Sequence, residues 1–143
     1  MAYCTLDDIK KVAPETDLIQ LTDDDNLGII KTTITDAAIE DADDFIDTYL
    51  RGRYTLPLSE TPKIIAKLSV DLALYYIYER RFKTKMPEGI IGSYNNAIKL
   101  LGQIQQGRIS LGVDSGTSTG SGEFQTNKTS DSRVFNSDVM DQY

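Results

Sequence analysis

The run Asp23-Asp24-Asp25-Asn26 concentrates oxygen donors in the manner of a calcium loop. An EF-hand starting at Asp23 needs an oxygen ligand at residue 27 and a bidentate glutamate at residue 34. Those places hold Leu27 and Ile34, so the run reads instead as a polar loop leading into a helix. A second acidic set, Asp36, Glu40, Asp43, Asp44 and Asp47, recurs mostly at steps of three and four. On a helix that spacing places carboxylates on one face. Paired carboxylates do acid/base or metal chemistry when they face inward beside ligands from other helices. No second carboxylate-rich helix is present, so this set reads as a solvated or partner-facing stripe.

The chain contains no histidine and a single cysteine, Cys4. Without histidine the commonest general acid/base and the commonest zinc ligand are missing, as is every Ser-His or Cys-His nucleophile arrangement. The glycines at 116, 120 and 122 lie in a low-complexity stretch, not in a phosphate loop between a strand and a helix. The expectation is a non-enzymatic protein with no cofactor and no metal. Cys4 has no disulfide partner within the chain, which fits a reducing cytoplasm and a buried apolar role. The opening MAYCTLDDIKKV does not follow a secretory pattern, and no apolar run approaches the roughly 20 residues that span a bilayer.

Basic residues are concentrated elsewhere. Residues 1–48 hold three basic and 13 acidic side chains, a net of −10. Residues 49–112 hold ten basic and four acidic, a net of +6, and residues 113–143 add −3. Arg80-Arg81-Phe82-Lys83-Thr84-Lys85 is the densest cationic run and the best phosphate-binding candidate. A sequence pI near 4.5 and the lack of a recognised nucleic-acid motif count against that use. A helix C-terminus draws cations through its dipole in any case. The charge split suits self-association, with opposite faces of identical subunits attracting.

The elements that carry these residues are helical. Thr5-Leu6-Asp7-Asp8 approaches a capping box, and Leu6, Ile9 and Val12 give a short first helix stopped by Ala13-Pro14. Glu15–Leu21 adds a turn or two. From Ile29 to Arg51 the apolar positions 30, 34, 37, 38, 42, 45, 46, 49 and 50 predict a long amphipathic helix. In YLRGRYTLPL, residues 49–58, Gly52 is expected to be a left-handed stop, and Tyr54, Leu56 and Leu58 to form one side of an extended strap. Thr61-Pro62 predicts an N-cap with proline at the first helical position. The helix that follows, through about Phe82, is apolar nearly all round between Leu72 and Tyr78, the mark of a central element. Met86-Pro87-Glu88 opens a third main helix that ends at Gly107, and residues 108–112 read as a short extended piece. The predicted fold is all-α: a small bundle of three main helices plus a short N-terminal helix over residues 1–112. A Gly/Ser/Thr-rich arm fills residues 113–143, flexible by composition and ending in apolar residues Val134, Phe135, Val139 and Met140 that could dock on a partner.

Three ordered blocks carry a family resemblance: AIEDADDFIDTYLRGRYTLPL, PKIIAKLSVDLALYYIYERR and AIKLLGQIQQGRISLG. With the ends MAYCTLDDIKKVAPE and SRVFNSD, the chain resembles structural proteins of the neck region of Mu-like phages. It is also similar to the helical head-to-tail connectors of tailed phages. The resemblance implies a virion protein, assembled in the host cytoplasm and placed in the neck as a ring of about a dozen subunits below the portal. Implied partners are further copies of itself, the portal protein, other neck or tail-completion proteins, and non-specifically the packaged DNA. No active-site residues are implied. The interface expected is an acidic face (Asp36, Glu40, Asp43, Asp47) against a neighbour's basic face (Arg51, Arg53, Arg80, Arg81). A rival expectation is a non-enzymatic adaptor or regulatory module that binds a protein partner through its C-terminal peptide.

Overall fold

In a computed structural model, residues 2–81 and 85–113 are described. They form five α-helices and no strand: α1 (Leu6–Val12), α2 (Glu15–Thr22), α3 (Thr32–Leu50), α4 (Lys63–Glu79) and α5 (Glu88–Gln105). The predicted arm from residue 114 onward, with Val134, Phe135, Val139 and Met140, lies outside the described residues. No helix among those described is long and apolar enough to cross a membrane.

Three of the chain's four prolines stand immediately before a helix. Pro14, Pro62 and Pro87 hold φ between −56° and −60° and ψ between 140° and 145°. Each offers its carbonyl to the first turn, as in Leu18 N–H to Pro14 at 3.2 Å and Ala66 N–H to Pro62 at 3.1 Å. Proline fixes φ in advance and has no N–H to leave unpaired there. Pro62 is therefore the N-cap itself, one place later than the predicted Thr61, and Thr61 makes no capping bond. α1 starts differently, with the full capping box between Thr5 and Asp8. The Lys11 ammonium and the Thr5 donors hold the Asp8 carboxyl down at about 2.

α4 is the central element. Ile65, Leu68, Val70, Leu72, Ala73, Leu74 and Ile77 are all buried, round most of the circumference, with Lys67 on the exposed side. α3 packs along one side, α5 along another, and α1 and α2 close the rest. Ala97, Leu101 and Ile104 bring α5 onto it. Tyr75 stacks on Tyr94 with ring centroids 3.8 Å apart and 14° between planes.

α3 turns the expected face inward but widens it on one side, so that of the nine expected positions only Ala37 is exposed. Thr35, Ala38, Ile39, Ala42, Asp43, Ile46 and Leu50 are buried, whereas Ala37 is exposed. The N-terminal segment is the cause: buried Tyr3 and Cys4 lie beside α3 and widen its covered face towards Ile39 and Asp43. Asp71 of α4 is also buried, with its carboxylate 2.7 Å from the Lys67 ammonium.

Past α3, Arg51 stays right-handed and both Arg53 and Tyr54 donate N–H to the Leu50 carbonyl at 2.9 Å. Gly52 is not in the left-handed region, so the predicted glycine stop is replaced by tightened turns. Tyr54 and Leu58 are buried and Leu56 half-buried, as the alternation predicted. Gly107 is the true left-handed stop, with φ 77°. Its N–H bonds to Ile104 at 3.0 Å and the Arg108 N–H to Gln103 at 2.9 Å, the paired bonds of a Schellman motif. Residues 108–112 make no strand; Leu111 N–H instead reaches the Tyr54 hydroxyl at 3.1 Å.

Gly107→Ala is expected to cost about 1–2 kcal/mol, because alanine must adopt a left-handed φ. Gly52→Ala, with open space around the site and no positive φ, is expected to be neutral or slightly stabilising. Urea unfolding of the two variants checks the contrast; equal stabilities would contradict it.

Candidate functional site: an acidic helix face

The acidic stripe divides into a buried part and an exposed part. Asp43 is 7% exposed and accepts the Tyr3 N–H at 2.9 Å and the Ser69 hydroxyl at 2.7 Å. The same Ser69 oxygen lies 3.1 Å from Cys4 Sγ, in place to receive its S–H. The Tyr3 hydroxyl donates to Asp47. This network fixes the N-terminal segment across α3 and α4. Asp43 is thus an internal tether and not the partner-facing carboxylate expected of it, because the chain's own N-terminus covers it. Burial raises its pKa despite the two donors. Burial likewise pushes the Cys4 thiol up to about 11 and the Tyr3 phenol well above its ordinary value.

Asp36, Glu40 and Asp44 stay exposed and Asp47 half-exposed. With Ala2, Thr5, Leu6 and Ile39 they line an open groove of about 530 Å³ between the N-terminal segment and α3. None of these four carboxylates forms an ion pair among the described residues, and no cluster there has metal-binding geometry. Chemically the face suits a guanidinium or ammonium group.

The four predicted arginines also divide. Arg80 and Arg81 close onto the end of α2: Arg80 Nη1 and Arg81 Nε donate to the Leu21 carbonyl at 3.1 and 3.2 Å. Both also pair with Asp24, Arg80 through Nη2 and Arg81 at 2.8 Å. They cap a helix C-terminus, where cations are favoured, and bind the ends of α2 and α4 together. The clamp gives both guanidinium groups an in-chain partner, while Arg80 stays exposed and Arg81 half-buried. Arg51 is exposed, and Arg53 lays its guanidinium against Gly107 at the end of α5. There it adjoins exposed Arg108, which the sequence reading had not singled out. None of these three forms an ion pair among the described residues. Exposed Arg51 and Arg108 and half-buried Arg53 therefore form one basic patch at one end of the bundle; exposed Lys63, Lys85 and Lys99 also lack an ion pair among the described residues.

Asp43→Ala strands two donors, Ser69 Oγ and Tyr3 N, and is expected to destabilise by about 2–3 kcal/mol. The raised Asp43 pKa means that the folded chain binds a proton where the unfolded chain has released it. Stability therefore falls as pH rises from the ordinary carboxylate value through the higher folded value. Asp43→Asn is expected to flatten that part of the stability–pH curve, read from urea midpoints; unchanged slopes would contradict the assignment.

The chain is 30% identical over 137 residues to gene product J of Escherichia phage Mu, an alignment covering 94% of each protein. It is 34% identical over 76 residues to the Mu-like prophage FluMu protein gp36 of Haemophilus influenzae, covering 53% of this chain and 51% of that relative. Residues 3–128 match the family model described as Bacteriophage Mu, Gp36, and with most of its length inside that match the chain belongs to the Bacteriophage Mu Gp36 family.

Proposed function

We propose that this phage protein is a non-enzymatic virion component, a head-to-tail connector that forms a ring below the portal and joins head to tail. The observation that carries the reading is the acidic face of α3. Asp36, Glu40, Asp44 and Asp47 stand along one helix without an in-chain cation among the described residues. Arg51, Arg53 and Arg108 stand together at the end of the same bundle. The two patches meet where Arg51 follows Asp47 by one turn, and opposite charge of this kind suits contact between neighbouring copies in a ring. The proposed partners are further copies of this chain, the portal protein and other neck or tail-completion proteins. Packaged DNA would be touched non-specifically, and the working location is the virion neck.

Exposed ion pairs weaken as salt rises, since the screening length falls from about 10 Å at 0.1 M to about 3 Å at 1 M. Light scattering across ionic strength, alone and with purified portal, is expected to show assemblies that shrink with salt. A monomer in every condition, indifferent to portal, would contradict the proposal. Reversing Arg51 and Arg53 to glutamate should abolish assembly, and reversing Asp44 and Asp47 to lysine in the same chain should restore it.

A further inference from the structure

The Asp-rich loop between α2 and α3 is built to hold two aliphatic side chains in water. Asp23 accepts the Leu27 N–H at 3.0 Å and the Gly28 N–H at 2.7 Å. Asn26 and Gly28 take left-handed φ values of 55° and 71°. Asp25 pairs with Lys31 at 3.0 Å, and Asp24 is gripped by Arg80 and Arg81. The loop so fixed leaves Leu27 67% and Ile29 59% exposed. Among the described residues only one other large apolar side chain is more than half exposed: Val12, at 61%.

Val12 belongs to a groove of about 480 Å³ between α1, α4 and α5, lined by Ala66, Val70 and Ser93 and edged by Asp8, Lys11, Lys67 and Asp71. The two lysine side chains are 73% and 70% exposed, while Asp8 and Asp71 lie deeper at 37% and 9%. The lysines thus project furthest at the groove, each paired with a carboxylate beneath it, whereas in the loop it is Asp25, 59% exposed against 42% for its partner Lys31, that projects further. The groove flanks the first half of α4, whereas the loop is clamped at its end, about 15 Å further along at 1.5 Å per residue from Val70 to Arg80.

We infer that the Leu27–Ile29 loop tip is a knob that seats in the Val12/Ala66/Val70 groove of a second copy of this chain. The most exposed apolar side chains fall into one projection and one recess, and the charged groups that project furthest beside them, Asp25 on the one and Lys11 and Lys67 on the other, are of opposite sign. Because these lie at different places on the surface, the contact is heterologous and passes from each subunit to the next. Pre-fixing the loop lowers the ordering cost of docking. The inference rests on the self-assembly proposed above but names a separate, apolar contact. It should persist at salt concentrations that screen the α3 face.

Cross-linking tests it. A Leu27→Cys protein is mixed with a Val12→Cys protein under oxidising conditions, free and with portal, at low and high salt. Native Cys4 is 3% exposed in both and serves as the silent background. The expected result is a mixed disulfide at least about tenfold over a control pair of Leu27→Cys with Ala37→Cys, whose residue 37 is exposed on α3. Assembled protein without that excess would overturn the knob and leave the ring standing. Monomer throughout would overturn both, and a Leu27→Cys link to portal would make portal the occupant and overturn the self-contact. Leu27→Asp with Ile29→Asp should weaken high-salt association about tenfold or more with an unchanged thermal melt; unaltered association would count against the knob.

Discussion

The structure depends on one helix, α4, that must be covered on nearly every side. From Ile65 to Ile77 its apolar side chains occupy most of the circumference, and Lys67 marks the side left to water. Loss of one such side chain typically costs about 2–5 kcal/mol, against about 5–15 kcal/mol for a whole domain. α3 and α5 cover two sides, and short α1 and α2 cover what remains. Covering with short helices creates termini near the core, and each terminus needs a polar partner. The proline starts, the Thr5–Asp8 box, the Gly107 Schellman turn and the Arg80/Arg81 clamp all answer that need.

The buried Asp43 answers another demand of the same arrangement. The segment before α1 has no helix to satisfy its backbone, and Asp43 supplies an acceptor for the Tyr3 N–H. A carboxylate spent in this way is lost to recognition. The clamp likewise uses the two arginines that looked most available. Charge not paired inside the chain among the described residues includes Asp36, Glu40, Asp44 and Asp47 on α3, and Arg51, Arg53 and Arg108 just beyond it.

Most of the fold was legible in the sequence because helical periodicity and helix punctuation are local. The all-round apolar run of α4 announced its central place, and the three long helices fall within a few residues of their expected bounds. Sidedness was less legible. α3 has apolar residues over a wide arc, and which part is buried depends on where the N-terminal segment lies. Asp43 was misplaced for that reason. The clamp made by Arg80 and Arg81 was not legible because their acceptors, Leu21 and Asp24, are more than fifty residues away in sequence. Gly52 was taken as the left-handed stop because it follows a helix, yet Leu50 accepts two N–H groups without it. Gly107, in the same sequence context, does adopt that conformation. The kinship with Mu-like phage proteins was visible in three sequence blocks, and the family match over residues 3–128 supports it.

Charge left over after folding, on a chain of a Mu-like phage family, is the basis for reading this protein as a part of the particle and not a catalyst. The most direct test is to count it. Quantitative mass spectrometry of purified virions, with portal as the internal standard, should find this chain in fixed proportion to portal, at ring-sized copy number. Particles that lack the chain, or carry it at a small and variable fraction of portal, would contradict the account.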